Sequence, residues 1–373
     1  MNREEYWFWI TNINDIYQYD IKKILSVFSD PEEVFKATED ELVRSGTVSS
    51  KKAHDIVQSK NSLRNFYKLD KLRRDGIRFI YYGSDEYPER LAYLQDLPYA
   101  LYVKGKLPDQ DLPTAGIVGA RACSGYGREM TLKYSQTLAV NSIQIISGMA
   151  LGVDTYASKG ALQVGGKTFV ILGSGIDVIY PQQNIELYYQ IIMNQGGVIS
   201  EYPLSTQPVG WQFPHRNRLI SAFSDKLLVM EAKKHSGTLT TAACALAQGK
   251  DVYALPGKVT DPLSEGCNRM IADGAGVLLS PEYLLEEYYG SVKYTMFDKK
   301  NIYDHSENKI YGGRDMVIDK KYSKIYSVLD HDPINIEEIA RECGMRSEAA
   351  AAILTEMELM GLCTQMGKDC YSR

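Results

Sequence analysis

The distribution of apolar and polar positions divides the chain into three segments. Up to about Leu69 it is rich in helix formers with short breaks, and it reads as a small helical domain. One break, Ser29-Asp30-Pro31-Glu32-Glu33, fits a helix start: Ser29 or Asp30 caps, and Pro31 sits in the first turn. Over 70–113, short apolar stretches such as Arg78-Phe79-Ile80-Tyr81-Tyr82 and Ala100-Leu101-Tyr102-Val103 alternate with turns and predict strands that join the next domain. From Thr114 to about Tyr289, β-branched runs alternate with helical stretches, the signature of a parallel α/β sheet. The predicted strands are 116–118, 143–146, 168–172, 198–200, 226–230, 251–254 and 276–279. Residues 290–317 are polar and aperiodic and read as a linker. After it, 322–329, 336–343 and 347–360 predict three helices, and 362–371 a hairpin turning at Gly367, which together make a winged-helix pattern. The domains are thus 1–69, 70–289 and 318–373, with the linker between the last two.

Composition narrows the class. At 373 residues the chain exceeds one ordinary core, and its 44% apolar content is that of globular proteins. No run approaches a membrane span, and Met1-Asn2-Arg3-Glu4-Glu5-Tyr6-Trp7 has acids where a secretory leader needs an apolar segment, so a cytoplasmic protein without membrane contact is expected. The six cysteines lack metal-ligand or disulfide-framework spacing, so no metal is expected. A net charge of −5 argues against nonspecific coating of nucleic acid. The charge is uneven, however: residues 115–275 are slightly basic and 281–373 acidic, so a nucleic-acid site belongs in a local groove of the middle segment.

The segment from Phe213 to Ser224 concentrates the candidate chemistry: Phe213-Pro214-His215-Arg216-Asn217-Arg218 stands at a predicted helix start. There Pro214 is tolerated, and free backbone N–H groups with the helix dipole favour an anion near Arg216, Asn217 and Arg218. Arginines recognise phosphate bidentately, and Phe213 offers a flat face to a base. The alternative is a helix start with two solvated arginines, or with Arg216 turned inward to an acid of the core.

Loops at neighbouring strand ends add to this, because ligands of open parallel sheets bind at the carboxyl ends of strands. Ile117-Val118-Gly119-Ala120-Arg121 follows a strand and opens a helix, so that Gly119 admits close backbone approach and Arg121 projects over the sheet edge. Ser147-Gly148-Met149-Ala150-Leu151-Gly152-Val153-Asp154 repeats the design, and Asp154 reads either as a catalytic acid or, the favoured reading, as a cap for N–H groups. Ser236-Gly237-Thr238-Leu239-Thr240-Thr241-Ala242 is a third such loop. Each of the three serves equally as a simple turn or cap.

Two near-matches carry nothing. Residues 161–168 nearly spell a phosphate-binding loop, but Ala161 replaces its first glycine and the order is helix to strand. Gly173-Ser174-Gly175-Ile176-Asp177-Val178 begins like a dinucleotide loop and has Val178 where the third glycine belongs. The five histidines lack nucleophile-base spacing, and no serine elbow is present; the sequence displays no catalytic machinery and calls for no cofactor.

In order and spacing, Ile117-Val118-Gly119-Ala120-Arg121, the 147–154 loop, Phe213 to Ser221, the 236–242 loop and Gly266-Cys267-Asn268-Arg269 closely resemble the DprA/Smf family of DNA-processing proteins. The resemblance implies an extended Rossmann-like core flanked by a sterile-alpha-motif-like helical domain and a winged helix. It further implies a non-enzymatic homodimer that binds and protects single-stranded DNA and loads RecA recombinase onto it during natural transformation. Carried over by position, the family's DNA pocket falls on Gly119, Arg121, Ser147, Gly148, Phe213, Arg216, Asn217, Arg218, Gly237 and Thr238. Leu151 departs from the family, which usually has arginine there, as does His215. Two other classes compete. A nucleoside-monophosphate phosphoribohydrolase of the LOG type needs a glutamate where Ala242 stands, and a duplex-DNA regulator needs a basic recognition helix where 347–360 holds Glu348, Glu356 and Glu358 but no Lys or Arg.

Overall fold

A computed structural model describes residues 1–61, 64–294, 311–312, 316–317, 320–329, 333–359, 362–367 and 369–372. It forms two compact units, Met1–Gly290 and Ser291–Arg373.

The first unit begins with helices α1 (Arg3–Thr11), α2 (Gln18–Leu25), α3 (Pro31–Lys36), α4 (Glu39–Arg44), α5 (Ser50–Ser59) and α6 (Arg64–Arg74). Local caps set their starts. Asn2 and Glu5 form a capping box for α1, Thr38 and Glu41 one for α4, and Asp30 accepts the Glu33 N–H with Pro31 at the first helical position of α3. The boundary expected at residue 69 falls inside α6, whose Leu69 and Leu72 are both buried. Nor does packing separate these helices from the sheet: Trp7, Phe8 and Ile10 share one hydrophobic cluster with Tyr102, Val170 and Val198 of its strands. Asn12 Nδ2 donates to the Tyr102 hydroxyl at 2.7 Å inside that cluster. The helices cover one sheet face, and the apolar area they bury there fuses the two segments into one core.

The sheet comprises β1 (Ile77–Tyr81), β2 (Ala100–Gly105), β3 (Thr114–Val118), β4 (Gln144–Ser147), β5 (Thr168–Ile171), β6 (Gly197–Ser200), β7 (Lys226–Val229), β8 (Asp251–Ala254) and β9 (Gly276–Val277). Its order is β1-β2-β6-β5-β4-β3-β7-β8-β9. Pairing is parallel from β6 through to β9, while β2 joins β1 and β6 in antiparallel register. Strands β3 to β6 are buried at every position, as parallel strands covered on both faces must be. Alternation then assigns the faces: Tyr102, Val170 and Val198 point to the N-terminal helices, whereas Leu101, Phe169, Ile171 and Ile199 point to a second cluster with Leu219 and Ile220.

Helix α7 (Glu89–Ala92) links β1 to β2. The crossovers are α8 (Gly125–Val140), α9 (Val153–Gln163), α10 (Ile185–Met193), α11 (Gln212–Ala222), α12 (Gly237–Ala247) and α13 (Glu265–Ala272), and α14 (Pro281–Tyr294) comes after β9. The chain adds β4, β5 and β6 on one side of β3 and then returns through α11 to place β7 on the other. Strand order therefore reverses between β3 and β7, and a crevice opens at their carboxyl ends. This is the extended Rossmann-like parallel sheet that the alternating pattern predicts.

Of the expected linker, residues 290–294 continue α14, and 311–312 and 316–317 pair as β10 and β11; the rest lies outside the described residues. The second unit contains α15 (Lys320–Val328), α16 (Ile336–Cys343) and α17 (Ser347–Leu359), with β12 (Ile334–Asn335), β13 (Thr364–Gly367) and β14 (Cys370–Ser372) in one antiparallel sheet. Ile325, Leu329, Ile339, Leu354, Met357 and Tyr371 form its core. This is a winged helix; the two-residue β12 carries too little pattern to be foreseen. Among the described residues no helix is long and apolar enough to cross a membrane.

Candidate functional site

The crevice between β3 and β7 holds a cleft of about 710 Å³. The loops after β3, β4, β5, β7 and β8, the stretch before α11 and the first turns of α11 wall it. The loop after β3 is tied to the loop after β4: Val153 N donates to Ala120 O at 3.2 Å. Two glycines make that approach possible. A Cβ on Gly119 would lie 2.6 Å from Val153 Cγ2, and one on Gly152 would lie 2.3 Å from Ala120 O. Gly152 also has φ of 74°, a left-handed conformation that glycine adopts without strain.

Held this way, Arg121 is exposed and its guanidinium lies 5.4 Å from the centre of the Phe213 ring. Tyr180 also packs against the ring, at 5.7 Å with a 40° tilt. The backbone of Gly173 abuts the ring edge, since a Cβ there would lie 2.8 Å from Phe213 Cδ1. Guanidinium, phenyl and phenol thus form one ladder along the cleft, with Lys233 also in the wall. Such an arrangement presents flat faces to bases and cationic groups to phosphates.

Arg216 lines the cleft but is 4% exposed, contrary to a solvent-facing phosphate clamp. Its Nη1 donates to Gly148 O at 2.7 Å and to Ile171 O, and its Nε to Asn217 Oδ1 at 3.2 Å. Burial lowers its pKa to about 10, which leaves it charged at neutral pH. It acts as a positive charge beneath the cleft floor and ties α11 to the ends of β4 and β5. The inward acid is Asp154: burial raises its carboxyl, the Arg216 charge opposes that rise, and its Oδ2 accepts the Ala150 N–H at 3.2 Å. Gly148 does not line the cleft; a Cβ there would come within 2.8 Å of both Asp154 Oδ2 and Arg216 Nη2. Ser147 is likewise buried, donating to Ile117 O at 2.8 Å.

Arg218 is the larger correction. It lies on the opposite side of α11, where Nη2 donates to Glu201 Oε2 at 2.7 Å and Nε to Asp96 Oδ2 at 3.3 Å. Two positions on a helix are separated by roughly 200°, so Arg216 and Arg218 cannot face one groove. Nor does the helix start offer the expected row of free N–H groups: Gln212 N donates to Val209 O at 3.0 Å, Pro214 has none, and His215 N donates to Trp211 O at 3.4 Å. His215 joins the Arg218 side: Nε2 lies 3.1 Å from Asp96 Oδ2 and Nδ1 3.0 Å from Glu201 Oε1. Hydrogen bonds to Asp96 and Glu201 raise His215 to about 9, and His215 with Arg218 holds Asp96 down at about 2. The buried Glu201 carboxyl is lowered too, because the Arg218 and His215 charges outweigh its burial.

Asn217 and Thr238 line the cleft; Asn217 Nδ2 approaches Gly237 O at 3.5 Å and so joins α11 to the loop after β7. Gly237 has open space around it and is not required by packing. Beside it Ser236 Oγ is buried without a hydrogen-bond partner. Sequence reasoning missed Tyr180 and Lys233. The signal for Tyr180 was an aromatic residue before proline in the loop after β5, the same loop set aside for lacking a dinucleotide fingerprint. Among the described residues no group of three or more His, Cys, Asp and Glu is placed to hold a metal ion.

Fold and cleft define an α/β protein of Rossmann-like type, with an aromatic and guanidinium cleft at its switch crevice and a winged-helix unit besides. The family model described as DNA recombination-mediator protein A matches residues 78–289, and that of the DprA winged helix domain matches 318–367. The chain is 34% identical to protein Smf of Escherichia coli over 278 residues, 74% of this chain and 72% of Smf. It matches the X-ray structure of DNA processing protein A from Streptococcus pneumoniae with a TM-score of 0.66 and 31% identity, covering 77% of this chain and 98% of that one. DNA processing protein A from Helicobacter pylori, whose structure is described as giving insight into a unique single-stranded DNA binding mode, matches with a TM-score of 0.52 and 29% identity, over 57% of this chain and 95% of that one. The chain belongs to the DNA recombination-mediator protein A (DprA/Smf) family of DNA-processing proteins.

Proposed function

We propose that this protein binds single-stranded DNA in the crevice cleft and, without chemistry of its own, protects it and delivers it to RecA recombinase during natural transformation in the cytoplasm. The observation that carries this reading is the ladder of Arg121, Phe213 and Tyr180. Ring faces accept any unpaired base, which a duplex keeps stacked and out of reach. Arg121 and Lys233 supply phosphate contacts whose affinity falls with salt. The proposed DNA pocket consists of Gly119, Arg121, Tyr180, Phe213, Asn217, Lys233 and Thr238, with Ser147, Gly148 and Arg216 shaping it and Arg218 bracing α11 from behind. The single-strand binding described for the Helicobacter pylori relative supports the same class of ligand, and the family's description as a recombination mediator supports delivery to a recombinase. A homodimer would bring two clefts to one strand and gain avidity. The acidic winged helix, whose α17 has no Lys or Arg, suits protein contact or regulation better than duplex reading.

Titration of labelled single-stranded and duplex oligonucleotides at two salt concentrations tests the proposal. Expected are single-strand preference, affinity that falls with salt, and a loss on combining Arg121→Ala with Phe213→Ala. Equal duplex binding, or binding indifferent to both substitutions, contradicts it.

A further inference from the structure

Across α11 from the cleft lies a second groove of about 680 Å³, between the N-terminal helices and the loop that precedes α11. Trp211, 53% exposed, and Tyr17, 56% exposed, meet edge to face at 6.2 Å on its wall. Tyr19, 64% exposed, also lines it, with Lys23 Nζ 4.5 Å from its ring. Soluble proteins rarely leave large aromatic surfaces together in water without a ligand for them.

We propose that this groove is a second stacking station for the same DNA strand, which leaves the cleft over the start of α11 and lays a flanking base on Trp211 and Tyr17. The inference rests on single-strand binding in the cleft. Continuity favours this occupant, because Trp211 stands two residues before Phe213, so one strand passing over the helix start meets both rings. Charge permits it. Asp96 and Glu201 are engaged by His215 and Arg218, leaving Asp15 as the remaining carboxylate of the lining. Lys23, beside Tyr19, offers a cation to the departing phosphate. The N-terminal helical segment thereby becomes part of the DNA footprint.

The protein carries its own reporter. Of its three tryptophans, Trp7 and Trp9 are buried at 4% and 2% exposed, so fluorescence quenching by a stacked base reads Trp211. The experiment titrates the full chain with a short oligothymidylate that spans the cleft alone and with one several times longer. The long strand is expected to quench the tryptophan signal and the short strand to leave it unchanged. Trp211→Ala is expected to weaken the long strand about tenfold and spare the short one, while Trp211→Phe restores most of the loss. Equal effects of Trp211→Ala on both lengths would make Trp211 a support for α11 and overturn the proposal. No effect on either length would overturn it as well, and would leave the groove to a protein ligand. Failure of cleft binding looks different: Arg121→Ala would then leave both lengths bound.

Discussion

At the residue scale, the arginines around the cleft do different work. Arg121 borders solvent and the Phe213 ring, so Arg121→Ala should lower single-strand affinity and reduce the slope of log affinity against log salt by about one. Phe213→Ala should cost about 1–3 kcal/mol of binding with little change in that slope, as measured by the same titrations. Arg218, a phosphate candidate by sequence, is 10% exposed at its side chain and paired with Glu201, which is 2% exposed. Its removal leaves a buried carboxylate uncompensated. Arg218→Ala should therefore destabilise the fold by about 3–5 kcal/mol in urea unfolding, and whatever remains folded should keep its short-strand affinity. Residue types were legible here, because aromatic and guanidinium groups clustered at a helix start name their chemistry. Their partners were not: Asp96 lies 122 residues before Arg218, Glu201 17 residues before it at the end of β6, and only the folded sheet brings both to α11. His215 gives the pH dependence. Its pKa rises from an ordinary 6.5 to about 9, so its contribution is full below 6.5 and lost as pH rises through 9. Thermal unfolding followed over that interval should show a fall in stability on the order of 1 kcal/mol after solvent screening, and His215→Asn should flatten it.

At the element scale, α11 is the organising part. Phe213, Arg216, Asn217 and Ile220 share the cleft side at helical spacing, whereas Trp211, His215 and Arg218 share the other. One helix thus separates a cleft from a groove, and its seating depends on the strand ends that Arg216 joins. Gly148→Ala should push against Arg216 and Asp154, lowering stability by about 1–3 kcal/mol and short-strand affinity with it, measured by thermal melting and titration. The helix itself was readable from Pro214 and the apolar run after it. Its rotational phase was not, because a helix start rich in polar residues shows no apolar stripe that says which side faces the sheet. The strands were readable, since β-branched runs between small-residue loops leave few alternatives.

At the scale of the whole molecule, the switch crevice arises from topology: the reversal of order at β3 opens a cleft wherever the strand-end loops are small. The fusion of the N-terminal helices with the sheet was not legible, because Trp7 and Phe8 look in sequence like the core of a small separate domain. The cleft lies wholly within the first compact unit, so a chain ended after Tyr294 should retain short-strand affinity in the same titrations. Ultraviolet cross-linking of an oligothymidylate to the full chain, with the adducts mapped by peptide mass, decides whether single strands occupy the cleft. Adducts on the peptides that carry Tyr180 and Phe213, suppressed by excess unlabelled single strand and by Arg121→Ala, are the predicted result. Adducts confined to residues 318–373, with none on the loop after β5 or on α11, would contradict the account.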